Sequence, residues 1–248
     1  MSLDLIHADC IQYLTENPQE GRFDMVVADP PYSSGGAMRS DRAQNTTTKY
    51  VNSDSGNQAL GDFLGDNKDQ RSYAYWCHIW MSLALRSLKP GGLFLVFTDW
   101  RQLPITSDAF QAAGVVWRGV VPWVKGYGRP VANRYSNTSE FVLVGTKGPR
   151  DSRAGQPNAL YAEGFFQYRT TRDRIHITEK PVALYSHLFK VLHEGSHVLD
   201  PFLGSGTSAL AAHDSGLNFT GLELSPGILQ RAQARIASHV GAFQPANE

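Results

Sequence analysis

Cysteine is nearly absent from this chain, and so are long apolar runs and any excess of charge. Only Cys10 and Cys77 occur among 248 residues. Two thiols cannot make a disulfide framework and neither stands at metal-ligand spacing, so both read as reduced and no metal site is expected. No segment approaches the roughly 20 uninterrupted apolar residues that span a bilayer. The opening Met1-Ser2-Leu3-Asp4 lacks the charged-then-apolar pattern of a signal peptide. These absences predict a cytoplasmic protein with no membrane contact. Lys plus Arg and Asp plus Glu stand at 23 each, so the net charge alone argues against a polyanion partner.

What the chain does have is a core and a rhythm. Apolar residues make up 42% of it, and its length suits one α/β domain over 1–248. Seven short apolar runs read as strands, at 3–7, 23–28, 93–98, 115–121, 140–145, 198–200 and 219–223. Helical periodicity falls between them, clearest at 72–88, 182–193 and 226–239, with a further helix from Thr207 through Asp214. Alternating strands and helices imply a mostly parallel sheet covered on both faces. No clear helix separates 115–121 from 140–145, so those two strands should form an antiparallel hairpin.

The strand at 23–28 ends in Asp29-Pro30-Pro31-Tyr32. Two prolines fix φ and remove two N–H donors, so the turn is stiff and its carbonyls stay free to accept. An acceptor pair beside a flat ring suits a planar base carrying an exocyclic amine. More plainly, the same residues make a strand-ending turn, with Asp29 as its cap and Tyr32 in the core. Near the other terminus, Asp200-Pro201-Phe202-Leu203-Gly204-Ser205-Gly206-Thr207 reads as strand end, glycine turn and helix start. Glycine permits positive φ and close backbone approach, and a helix start offers free N–H groups. Gly204 to Ala209 fits G-x-G-x-x-A, with Glu223 ending the next strand where it can hold a ribose. No lysine follows Gly206, which excludes a P-loop. Alone, this motif reads as a site for a nucleoside-like ligand.

Together, D-P-P-Y at Asp29 to Tyr32 and F-x-G-x-G at Phe202 to Gly206 resemble the DNA amino-methyltransferases, which methylate adenine N6 or cytosine N4. The catalytic motif precedes the cofactor motif, an order similar to the circularly permuted β group. The resemblance covers most of the chain and extends to Ala8-Asp9-Cys10, Lys89-Pro90-Gly91-Gly92 and Thr178-Glu179-Lys180-Pro181. It departs at Ile175-His176-Ile177, where the family usually has His-Pro. It implies a Rossmann-like, seven-stranded methyltransferase sheet, entered at the third strand of the usual order, with an antiparallel hairpin. S-adenosyl-L-methionine is the implied cofactor, and Asp29, Pro30, Pro31 and Tyr32 the implied catalytic set. The Asp29 carboxylate and the Pro30 carbonyl would accept both amino hydrogens and turn the nitrogen lone pair toward the methyl group. Tyr32 would stack on a base flipped out of the duplex. Phe202, Gly204, Ser205, Gly206 and Thr207 would wrap the cofactor, and Glu223 would accept its ribose hydroxyls. Asp9 would meet the adenine amine, with Cys10 adding backbone contacts. Asp200 and Lys180 would lie near the methionine ammonium and carboxylate. Asp9 also reads as a helix N-cap before 11–15, and Lys180 as a surface ion pair. Arg134 and Glu140 resemble a polar pair that supports the target pocket.

Double-stranded DNA is the partner this implies, in the cytoplasm of a bacterium or a phage-infected cell. The charge distribution is compatible: from Arg118 to Lys180 there are 11 Lys/Arg against 5 Asp/Glu, a local footprint for phosphates, although a merely basic solvated surface looks the same. Two stretches do not read as core. Residues 33–71, rich in Gly, Ser, Asn and Asp, read as a loop insertion next to Tyr32 that acts as a lid or touches DNA. Residues 148–177 interleave Arg150, Arg153, Arg169, Arg172 and Arg174 with aromatics and occupy the family's target-recognition position.

Asp rather than Ser before Pro-Pro-Tyr favours adenine N6 within this group. Cytosine N4 needs the same chemistry and is the alternative. A nicotinamide-dependent oxidoreductase built on the glycine turn is a third reading, but only 25 residues follow Glu223 and Asp29 to Tyr32 go unexplained. Monomer and homodimer both remain open, as does a cognate restriction enzyme as partner.

Overall fold

Alternation along the central strands sets the layers of the protein. The computed structural model describes residues 1–33, 68–126, 130, 132–150, 158–169 and 180–241. Its strands are β1 (Leu3–His7), β2 (Phe23–Ala28), β3 (Leu88–Thr98), β4 (Val116–Val124), β5 (Ser139–Thr146), β6 (Phe166–Gln167), β7 (His197–Asp200) and β8 (Asn218–Glu223). Its helices are α1 (Cys10–Glu16), α2 (Gln70–Ser87), α3 (Leu103–Ala112), α4 (Val182–Phe189), α5 (Thr207–Asp214) and α6 (Pro226–Val240). Met25, Val27, Leu93, Leu95 and Phe97 point to one face of the sheet, where they pack with α4, α5 and α6. Val26, Ala28, Phe94 and Val96 point to the other and pack with α1, α2 and α3. This is the period-2 geometry of a strand buried on both sides.

The strands form one sheet in the order β1-β8-β7-β2-β3-β5-β4-β6. All neighbours are parallel except β5, which runs antiparallel to both β3 and β4. The expected hairpin of β4 and β5 therefore forms, and β5 inserts between β3 and β4. All seven expected strands are present. The eighth, β6, is only two residues long and parallel to the end of β4, too short for alternation to betray it. It is anchored where the Trp123 indole N–H donates to the Tyr168 carbonyl at 2.8 Å.

Two helices differ from expectation. The sequence reading singles out no helix before β4, yet α3 forms there, with Pro104 in its first turn where no N–H is required. Helix α4 stops at Phe189 rather than 193; tight turns take over, with Leu192 N–H on the Phe189 carbonyl and Gly195 at φ +77°.

Helix α3 lies so close to β5 that only glycine fits below it. A Cβ on Gly145 would stand 2.4 Å from Val115 Cγ1 and 2.6 Å from the Phe110 ring. Gly145→Ala should therefore cost about 1–3 kcal/mol by overpacking. Urea unfolding should show a lower midpoint with an unaltered m-value; an unmoved midpoint would contradict this packing.

Candidate active site

The chain leaves β7 toward β8 on one side and leaves β2 toward β3 on the other. The β7/β2 boundary is thus the topological switch point, where the flanking connections diverge and open a crevice at the carboxyl ends of the strands. Acids crowd this edge. Asp9 follows β1, Glu223 ends β8, Asp200 ends β7, Asp29 follows β2 and Glu140 sits at the start of the reversed β5.

On the β2 side the acids meet ammonium groups. Lys180, buried just before α4, donates to Asp29 Oδ1 at 2.9 Å and Oδ2 at 2.7 Å. Its Nζ also lies 3.4 Å from Glu140 Oε2, and Lys125 pairs with Glu140 Oε1. The lysine reaches the acids through an aromatic sleeve, its Nζ 5.3 Å from the Tyr32 ring centre, 5.4 Å from Phe97 and 5.9 Å from Trp123. The Tyr32 hydroxyl stands 2.8 Å from Asp29 Oδ1 and 3.1 Å from Glu140 Oε2; its single proton serves one of them at a time. Burial pushes the Asp29 carboxyl up against the pull of Lys180, aided by the Glu140 charge. Burial also works on Glu140, but two lysines outweigh it and hold that carboxyl below its ordinary value. Burial alone would discharge Lys180; the two carboxylates prevail and raise it.

Lys180 is therefore neither on the surface nor free for a ligand carboxylate; it is a buried counter-ion of Asp29. Asp29 Oδ1 faces both the Tyr32 hydroxyl and Lys180, whereas Oδ2 faces Lys180 alone and keeps a lone pair. The Pro30 carbonyl accepts no hydrogen bond among the described residues. Gln102, which the sequence did not single out, donates to the carbonyl of Ser33 at 3.0 Å, a residue at φ +52°. Lys68 N–H reaches Ser33 Oγ at 3.3 Å, so both ends of the 33–71 stretch meet beside Tyr32; 34–67 lies outside the described residues.

On the β7 side the acids hold backbone instead. Glu223 accepts from Gly204 N–H at 2.9 Å through Oε2 and from Ser225 N–H at 2.8 Å through Oε1, and burial raises its carboxyl. Asp200 accepts from Phe202 N–H at 2.9 Å and from the Ser208 hydroxyl at 2.5 Å. Among the described residues no lysine or arginine pairs with it, and burial pushes this carboxyl up to about 7. Asp9 caps α1, accepting from Ile11 and Gln12 N–H through Oδ1, so the capping role is real. Cys10 is buried, which pushes its thiol well up.

The two motif glycines do different work. Gly204, at φ +54°, would place a Cβ no nearer than 3.9 Å to any atom, so the space above it is open. Gly206, at φ +79°, would drive one to 3.0 Å from Ile236 and 3.2 Å from Ala232 of α6. The Ser205 and Thr207 hydroxyls face Arg235 of α6, at 3.3 and 2.9 Å, which the sequence reading missed. Phe202 stacks into the core against Trp76 and Trp80.

The arginines separate. Arg150 donates to the Gly91 carbonyl at 2.9 Å, at the opposite, amino edge of the sheet, because β5 runs backwards. Arg169 is exposed two residues after β6, on the same edge as Asp29. Arg134 is exposed, and among the described residues no bond links it to Glu140. Arg153, Arg172 and Arg174 lie outside the described residues.

Comparison with known proteins gives this arrangement a family. Residues 23–234 match the DNA methylase family of N6 and N4 methyltransferases, and the chain belongs to it, among S-adenosylmethionine-dependent DNA amino-methyltransferases. The chain is 24% identical over 270 residues to the Type II methyltransferase M.HpaI of Haemophilus parainfluenzae, covering all of this chain and 78% of that protein. Its fold is similar to the M1.HpyAVI complex with SAM, with TM-score 0.68, 22% identity and coverage of 94% and 98%. It is also similar to PvuII DNA methyltransferase, cytosine-N4-specific, with TM-score 0.67, 15% identity and coverage of 94% and 85%. The oxidoreductase reading falls with this membership. No described helix is long and apolar enough to cross a membrane.

Two measurements test the site's physics. Asp200 has a folded pKa of about 7 against an ordinary 3.8, so the native state binds this proton more tightly than the unfolded chain. Its stabilising contribution is complete below about pH 4 and is lost as pH rises toward 7. The stability difference between wild type and Asp200→Asn should therefore fall across that window; a difference independent of pH would reject the assignment. Separately, Gly206→Val should lower stability by about 1–3 kcal/mol through its clash with α6, whereas Gly204→Ala should cost only about 1 kcal/mol, from backbone strain at positive φ. Equal losses in thermal unfolding would contradict the distinction.

Proposed function

We propose that the protein is a site-specific DNA methyltransferase that moves a methyl group from S-adenosyl-L-methionine to N6 of an adenine flipped out of double-stranded DNA. The observation that carries this is Asp29. It is fixed at the switch point, with a lone pair open on Oδ2 and an unclaimed Pro30 carbonyl beside it, across from the glycine turn on β7. The residues fit the cofactor. The space over Gly204 is open, each Glu223 oxygen retains a lone pair for a ribose hydroxyl, and Asp9 keeps Oδ2 for an adenine amine. Phe202, Ser205, Gly206 and Thr207 contribute through backbone and packing, Cys10 through its backbone. Asp200 shapes the turn near the methionine end.

When bound, the cofactor supplies a methyl group on a sulfonium, whose positive charge vanishes on transfer. An exocyclic amine is a poor nucleophile because its lone pair is delocalised into the ring. Asp29 Oδ2 and the Pro30 carbonyl accept its two hydrogens, favour a pyramidal nitrogen and aim the lone pair in line. Lys180 and Tyr32 hold Asp29 in place for this. The proton becomes acidic only after methylation, so Asp29 need not be a strong base. Pro31 stiffens the turn. Asp at position 29 supports adenine; cytosine N4 is the second reading, since a cytosine-N4 enzyme shares the fold. Relationship to a Type II methyltransferase supports a restriction–modification setting.

Incubation with labelled cofactor and DNA, followed by nucleoside analysis, should give N6-methyladenine; N4-methylcytosine would transfer the mechanism to the other base. Asp29→Asn, which keeps the shape beside Lys180, should lower turnover on the order of 100–1,000-fold and leave cofactor affinity nearly unchanged in calorimetry. Near-normal turnover would remove Asp29 from the chemistry. Arg169→Ala should relax the methylated motif or weaken DNA binding, whereas Arg150→Ala, at the far edge, should do neither. The reverse pattern in sequenced methylomes would relocate recognition.

A further inference from the structure

At the end of α5 remote from the glycine turn, two imidazoles and a carboxylate converge. His213 Nδ1 lies 3.2 Å from Asp214 Oδ1, and His239 Nε2 lies 2.9 Å from Asp214 Oδ1 and 3.2 Å from Oδ2. One ligand atom from each residue falls within 4.8 Å of the others. The two rings stand nearly perpendicular at 84°, with centres 6.2 Å apart. We propose that His213, Asp214 and His239 bind a divalent transition-metal ion of the zinc class, clasping α5 to α6.

Three features favour a cation there. Zinc bonds of about 2.0–2.1 Å in a tetrahedron set neighbouring ligand atoms roughly 3.4 Å apart, near the 3.2 and 2.9 Å that separate the two imidazole nitrogens from Asp214 Oδ1. His213 and His239 each occupy the last turn of their helix, so two negative dipole ends meet at the site. Two imidazoles with one carboxylate select zinc, copper or nickel over magnesium and calcium, which prefer all-oxygen shells. The fourth position is left to water.

The site has a structural purpose. Near the start of α5, Gly206 rests on Ala232 and Ile236 while Arg235 grips Ser205 and Thr207. A metal at the other end of α5, about 10 Å along the helix, would fix the same pair of helices at a second point. The buried thiols do not compete: Cys10 and Cys77 lie in the core on the opposite face of the sheet, and burial pushes Cys77 up to about 12.

The test uses untagged, full-length protein stripped with chelator and titrated with zinc chloride by calorimetry. Wild type should bind one equivalent and gain thermal stability. His213→Ala, Asp214→Asn and His239→Gln should each weaken binding by more than the roughly 10–100-fold that loss of a ligand's outer partner costs, while their melting temperatures in chelator stay near that of wild type. Cobalt bound to wild type should show ligand-field bands without thiolate charge transfer, a readout that holds even if a variant folds poorly. Absence of zinc uptake by wild type, equal uptake by all the variants, or thiolate bands with cobalt would each overturn the proposal.

Discussion

The buried ammonium of Lys180 is the constraint on which the β2 side of the site depends. A charge with 5% side-chain exposure carries a desolvation penalty of several kcal/mol unless it is paired with good geometry. Asp29 and Glu140 supply that pairing, and neither can move without leaving the lysine uncompensated. The D-P-P-Y turn, the reversed strand β5 and the entry to α4 are thereby bound into one unit, although Lys180 and Asp29 are 151 positions apart in the chain. The aromatic sleeve of Tyr32, Phe97 and Trp123 excludes water and lends its ring faces to the same cation.

The carboxyl edge of the sheet uses its acids in two ways. On the β8 and β7 strands, Glu223 and Asp200 accept backbone N–H groups and hold loops in shape. Across the switch point, Asp29 and Glu140 accept from side chains and form a charge-balanced cluster with Lys125 and Lys180. The first arrangement is built on backbone donors, so the loops themselves fix where these acids stand. The second concentrates opposite charges in a buried cluster. One sheet thus offers two chemically distinct halves of a crevice.

Much of this was legible in the sequence. Buried strands announce themselves through apolar runs, and β1 and β2 fall at their expected bounds because turn residues flank them. The glycine turn and Asp29 were visible as motifs because their backbone demands are local. What escaped was long-range. Nothing near Lys180 in the chain reveals that its partner is Asp29, and Arg235 looks like any exposed helical arginine until α6 is laid against α5. Gly206 reads as a ligand glycine by its motif, yet its missing Cβ is filled by Ile236 and Ala232. The basic segment read as one surface, but a single antiparallel strand sends Arg150 and Arg169 to opposite edges.

That reversal has a consequence for how such a chain can diversify. The eight residues of β5 carry the backbone about 27 Å down the sheet, away from the crevice. To return to β6, the chain must climb the same distance, which takes at least about eight extended residues. The span between Arg150 and Phe166 therefore has a length floor set by geometry alone. Within such an architecture, deletions in this connection are limited by reach, whereas insertions meet no such limit, so the segment can change length in one direction more readily than in the other.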